Sequence, residues 1–144
     1  MDLSQESKAT FGKFISAVYW QRNSFFLKRF NKFNIGCGQY RFLLNLYLQD
    51  GITQEELSSK LMVDKATTAR AIKKLEEEGY VSRSVLEEDK RAYKIMITEK
   101  SLSIKKEFFE ILDEWENEVM RNLSVEEKKS LLHLLEKIAS SNIS

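Results

Sequence analysis

Hydrophobic positions recur at helical spacing over most of the chain and switch to alternation between about residues 81 and 97. From Thr10 to about Phe33 there is no proline and only Gly12, which predicts a long helix. Phe11, Phe14, Ile15, Val18 and Tyr19 form one stripe of it, and Phe25, Phe26, Phe30 and Phe33 extend the apolar surface. Asn34 to Gly38 is a break with two glycines, and a second helix follows over about Gln39 to Gln49 with Phe42, Leu43, Leu46 and Tyr47 at core spacing. Thr53, with Glu56 three places on, has the spacing of a capping box and opens a short helix carrying Leu57 and Leu61. After Met62-Val63, Asp64 can cap a helix of about 14 residues that Gly79 ends in a left-handed conformation. Val81, Arg83 and Val85, then Tyr93, Ile95 and Ile97, predict two strands joined by LEEDKRA. Thr98 can cap a long helix to about Asn122, with Ile104, Phe108, Ile111, Leu112, Trp115 and Val119 on one side. Ser124 with Glu127 forms a second capping box before the last helix.

Residues 53 to 97 therefore run helix, turn, helix, two-stranded ribbon. On the second helix of that segment, Thr68, Ala71, Ile72 and Leu75 share one face. Ala66, Arg70, Lys73 and Glu77 lie opposite, flanked by Lys65, Thr67 and Lys74. A helix entering a major groove needs such a face: Ala and Thr allow close approach, Arg70 can fork onto guanine, and lysines meet phosphate. A solvated surface face has the same composition, so the helix alone does not decide. The ribbon adds weight, because a hairpin that only turns would use Asn-Gly or Asp-Gly, whereas this charged loop suits a projecting wing. Arg91 at its tip can enter a narrow minor groove, with Asp89 steadying its guanidinium.

The segment resembles the winged helix-turn-helix of the MarR (multiple antibiotic resistance regulator) transcription factors. That family's pattern is a T-Q-x-E-L-A scaffold helix, a recognition helix with T-x-x-R and L-E-x-x-G, and a wing carrying D-x-R before L-T. Here these read Thr53-Gln54-Glu55-Glu56-Leu57-Ser58, Thr67-Thr68-Ala69-Arg70, Leu75-Glu76-Glu77-Glu78-Gly79, Asp89-Lys90-Arg91 and Ile97-Thr98. Ser101 stands where the family often has Gly, and Ala66 and Ala69 where hydroxyl residues are frequent. The resemblance implies a mainly α (α+β) fold with a β-ribbon wing and a brief third strand at Ile52. It implies Thr67, Arg70 and Lys74 as contacts from the helix and Arg91 with Asp89 from the wing. The full expected DNA-binding set is Thr53, Gln54, Lys65, Thr67, Arg70, Lys73, Lys74, Asp89, Lys90 and Arg91. Thr53 and Gln54 would meet phosphate at a helix N-terminus.

The 144 residues fit one domain. It would comprise an N-terminal dimerisation helix over 10–36, the winged helix-turn-helix DNA-binding region over 37–98, and C-terminal dimerisation helices over 99–144. The aromatic surface of the first helix exceeds what one chain usually covers, and the resemblance likewise implies a homodimer, whose two heads would match a pseudo-palindromic operator. The net charge of +1 says little, but its distribution says more. Residues 60–106 hold 12 Lys and Arg against 8 Asp and Glu, and residues 107–144 hold 4 against 9. The basic excess thus falls on the reading segment.

One cysteine, Cys37, and one histidine, His133, exclude a disulfide framework and most metal or nucleophilic constellations, and no glycine-rich phosphate loop is present. The expectation is no enzyme and no cofactor. Cys37 follows the first helix between two glycines, with no visible partner for a redox switch, and reads as a structural or incidental thiol ahead of a redox sensor. No run spans a membrane and the N-terminus lacks a signal pattern, so a cytoplasmic protein is expected. The sequence predicts a homodimeric repressor of double-stranded DNA released by a small lipophilic or phenolic effector. The alternative is a winged-helix protein-interaction module, which would call for an apolar rather than a basic reading face.

Overall fold

A computed structural model of the chain describes residues 3–86, 88 and 93–141. The elements run α1 (Leu3–Phe30), α2 (Tyr40–Leu48), β1 (Ile52–Thr53), α3 (Gln54–Leu61), α4 (Lys65–Glu77), β2 (Val81–Val85), β3 (Tyr93–Ile97), α5 (Glu99–Val119) and α6 (Val125–Ala139). The fold is mainly helical with one three-stranded antiparallel sheet in the order β1-β3-β2, as the alternation and the family pattern predict. Val81 stands opposite Ile97, Arg83 opposite Ile95 and Val85 opposite Tyr93, so the two alternating sets share one face of the ribbon. The third strand is present as β1, with Ile52 opposite Ile95.

The chain forms two compact units, Met1–Ile111 and Leu112–Ser144. In the first, aromatic side chains join α1, α2 and α5. Ring centroids are 4.6 Å apart for Phe26 and Tyr40, 5.0 Å for Phe30 and Phe108, and 5.1 Å for Tyr47 and Phe108. Such pairs add to the burial of their area. A polar knot holds the end of α4 to the start of α5. The Tyr80 carbonyl accepts from the Thr98 N–H at 3.3 Å and from the Ser101 hydroxyl, while the Thr98 hydroxyl donates to the Gly79 carbonyl at 2.6 Å. The Tyr80 phenol donates to the Phe33 carbonyl at 2.6 Å, and the Tyr47 phenol donates to the Ser101 carbonyl. Ser101 is fully buried, and its hydroxyl makes a bond that glycine at this position would leave unmade.

The extents of two helices and one cap differ from the sequence reading. Helix α1 begins at Leu3, ahead of the apolar stripe, and gives way at Asn31–Phe33 to a 3-10 turn closed by the left-handed Asn34. The Thr53 hydroxyl accepts from the Glu56 N–H at 3.1 Å, but Glu56 does not return the bond. Helix α5 stops at Val119, short of Asn122.

In the second unit Ser124 makes the full capping box: its hydroxyl accepts from the Glu127 N–H at 3.1 Å and its own N–H donates to the Glu127 carboxylate at 2.8 Å. No residue of α6 is buried, and Val125, Leu132, Leu134 and Ile138 are exposed. Among the described residues no helix is long and apolar enough to cross a membrane, and no cluster of His, Cys, Asp and Glu could hold a metal ion.

Candidate nucleic-acid interface

Helix α4 is oriented by its apolar face. Thr68, Ala71, Ile72 and Leu75 are all buried, the four residues that the helical spacing assigns inward. The opposite face is thereby turned outward, where Lys65, Ala66, Arg70, Lys73 and Lys74 are exposed and Thr67 is half-buried. Deep anchoring of one face fixes the other without any contact of its own.

Helix α3 leads into this helix through a tight turn. The Thr53 hydroxyl caps its first turn, and Met62 ends it in the left-handed region at φ 55°. Thr53 and Gln54 sit half-buried at that first turn. Lys65 lies 3.8 Å from Glu55, but both side chains are solvated and such a pair contributes little.

The side chains at 64, 67 and 70 form a continuous chain of hydrogen bonds. Asp64 is the N-cap: one carboxylate oxygen accepts from the Thr67 N–H at 2.8 Å and the other from the Thr67 hydroxyl at 2.7 Å. An Arg70 guanidinium nitrogen donates to the Thr67 hydroxyl oxygen at 3.1 Å. The Thr67 bonds, backbone first, hold the Asp64 carboxyl below the usual carboxylate range. Sequence reasoning identified Asp64 as a cap only; its second oxygen and the grip on Thr67 depend on side-chain rotamers that no spacing rule encodes.

The ribbon stands beside this helix. Arg83 of β2 lies 3.4 Å from Glu76 of α4, tying the strand to the last turns of the helix. Toward the tip the paired Val85 and Tyr93 are exposed. Asp89, Lys90 and Arg91 lie outside the described residues. The structure thus brings Lys65, Thr67, Arg70, Lys73 and Lys74 onto one helix, with Thr53 and Gln54 at the start of the preceding one.

The MarR family profile matches residues 37–93. The chain is 30% identical over 110 residues to the HTH-type transcriptional regulator BilQ of Clostridium symbiosum (strain WAL-14163), covering 76% of each chain. It superposes with TM-score 0.84 and 38% identity on a MarR transcriptional regulator from Methanosarcina mazei Go1, over 90% of this chain and 93% of that one. A mutant MarR from E. coli complexed with operator DNA shares the fold with TM-score 0.84 at 24% identity, over 96% and 99% of the two chains. With its winged helix-turn-helix, its motif residues in order and relatives matched over most of their length, this chain belongs to the MarR family of transcriptional regulators.

Proposed function

We propose that the protein is a homodimeric, sequence-specific DNA-binding repressor whose α4 reads the major groove. The observation that carries this is the outward face of α4, where Lys65, Arg70, Lys73 and Lys74 are exposed around a preset Thr67–Arg70 pair. Arg70 matches the guanine edge and the lysines match phosphates, with Thr53 and Gln54 supplying backbone contacts from α3. The E. coli relative in complex with operator DNA lends support by analogy of fold. Arg91 with Asp89, and Lys90, complete the reading at the wing tip as minor-groove and phosphate contacts.

Dimerisation is supported by α1, where Phe11, Phe14, Ile15, Val18 and Tyr19 are exposed and Trp20 is 67% exposed. An apolar strip of this kind fits a second copy of the chain, and two heads then fit a pseudo-palindromic operator. Release by a small lipophilic effector is the corresponding reading of the regulation; it requires unequal affinity of the effector for the DNA-competent and incompetent states.

The test is selection of bound duplexes from a random pool with purified protein at fixed salt. An inverted repeat with half-sites about one helical turn apart is expected. Weak, sequence-independent recovery, repeated after refolding to strip any bound effector, would favour the protein-interaction module instead.

A further inference from the structure

We infer that Asp64 is a specificity-determining positioning residue: it takes the Thr67 hydroxyl proton and so leaves Thr67 an acceptor that holds the Arg70 guanidinium. The inference rests on the proposed role of Arg70 as a base contact and adds the residue that aims it.

An N-cap needs one acceptor, and one Asp64 oxygen meets that need at 2.8 Å from the Thr67 N–H. The second oxygen, 2.7 Å from the Thr67 hydroxyl, goes beyond capping. An ionised carboxylate only accepts, so the direction of this bond is fixed and Thr67 must donate its single hydroxyl proton to it. With its proton turned to Asp64, the hydroxyl presents its lone pairs to Arg70, from which it accepts at 3.1 Å. The residues stand three apart, so the relay runs along one inclined row of the helix surface. Asp64 and Arg70 are both exposed, so the relay lies on the proposed reading face and not in the core.

Two consequences for recognition follow. Arg70, a long side chain with many rotamers, is held at one nitrogen with its other donors free for a guanine edge. Thr67 cannot donate to a base acceptor while Asp64 holds its proton; it offers a methyl group and a lone pair, which suit a thymine methyl or the amino group of adenine or cytosine.

The experiment uses the full chain and the duplex recovered by selection, with every base pair of one half-site varied. Arg70→Ala locates the base pair that Arg70 reads. Asp64→Asn keeps a capping oxygen, since Asn caps as well as Asp, but presents an amide donor to Thr67, so that the hydroxyl oxygen is shared between two donors, its proton is no longer pinned, and its hold on Arg70 is weakened. The expected result is a loss of about fivefold to tenfold in discrimination at that same base pair. Binding to non-operator duplex should not weaken, because a negative charge has been removed. Thr67→Val breaks the relay without touching the cap, gives the same loss should Asp64→Asn fail to fold, and is not additive with it. Unaltered discrimination in both variants, at a base pair where Arg70→Ala abolishes it, would overturn the inference and leave the reading of Arg70 standing. Arg70→Ala without effect at any base pair would overturn both.

Discussion

Met62 ends α3 at φ 55° and ψ 43°, a conformation that glycine adopts freely and a side chain does not. The turn is a six-to-one closure, with the Val63 N–H donating to the Ser58 carbonyl at 3.0 Å and the Met62 N–H to Ser59 at 3.2 Å. Holding a non-glycine residue there costs about 1–2 kcal/mol. The Met62 side chain is 83% exposed, so deleting it uncovers almost no core. Glycine adds unfolded-state entropy worth about 0.4–1 kcal/mol in the other direction. Met62→Gly should therefore stabilise the protein by roughly 0.5–1 kcal/mol, or about 2–4 °C in Tm. Gly79, at φ 81°, allows the mirror experiment: an added Cβ meets the flexible Lys100 side chain, Cδ at 3.5 Å and Nζ at 4.0 Å, which are ordinary contacts, so Gly79→Ala isolates the same backbone strain. It should destabilise by about the same amount. Urea unfolding followed by circular dichroism at fixed protein concentration reads both. A loss of stability in Met62→Gly would show that the side chain packs on something, and would refute the strain argument at that turn.

Other expectations follow from single residues. Ile72 is fully buried under α4, so Ile72→Ala should cost about 2–5 kcal/mol; a loss below 1 kcal/mol on denaturation would remove this face from the core. Burial raises the phenol pKa of Tyr40, Tyr47 and Tyr80, so their contribution is complete below the unfolded value near pH 10 and is lost as pH rises through the folded values. Tyr47→Phe should flatten that alkaline decline in Tm while costing about 1 kcal/mol at neutral pH; an unchanged slope would exonerate Tyr47. The Asp64 pKa is lowered, so its contribution is present above the unfolded value of about 4 and is lost as pH falls through the folded one; base discrimination should persist down to about pH 4. Ser124→Ala should cost about 1 kcal/mol, seen as faster amide exchange in the first turn of α6, and equal exchange would argue against the capping box there.

What the sequence made legible was whatever rests on burial or on a local cap. The inward residues of α4 follow from angular spacing because one side of that helix is fully covered, and the register of the ribbon follows because Val81 and Ile95 both need the core. Residues without a buried face gave no such signal. The start of α1, LSQESKA, is mostly polar and lies ahead of the apolar stripe, so these seven residues carry no periodicity to read. The break at Met62-Val63 was legible from the two helices around it, but the positive φ of Met62 was not, because methionine has no preference for that region. The Thr67 relay was invisible for another reason: Thr67 and Arg70 were each legible as contacts, but the direction of a hydroxyl proton is settled only when both its neighbours are placed.

The two-residue strand β1 carries a consequence in time. Ile52 pairs with Ile95, 43 positions later in the chain. At about 5–20 residues per second, a ribosome leaves roughly 2 to 9 seconds between their emergence. Helices α3 and α4 lie wholly between the two strands in the chain, ending at Glu77. Every residue of the helix-turn-helix is thus synthesised before β3, the strand that pairs with both β1 and β2 and is the last part of the head to be made.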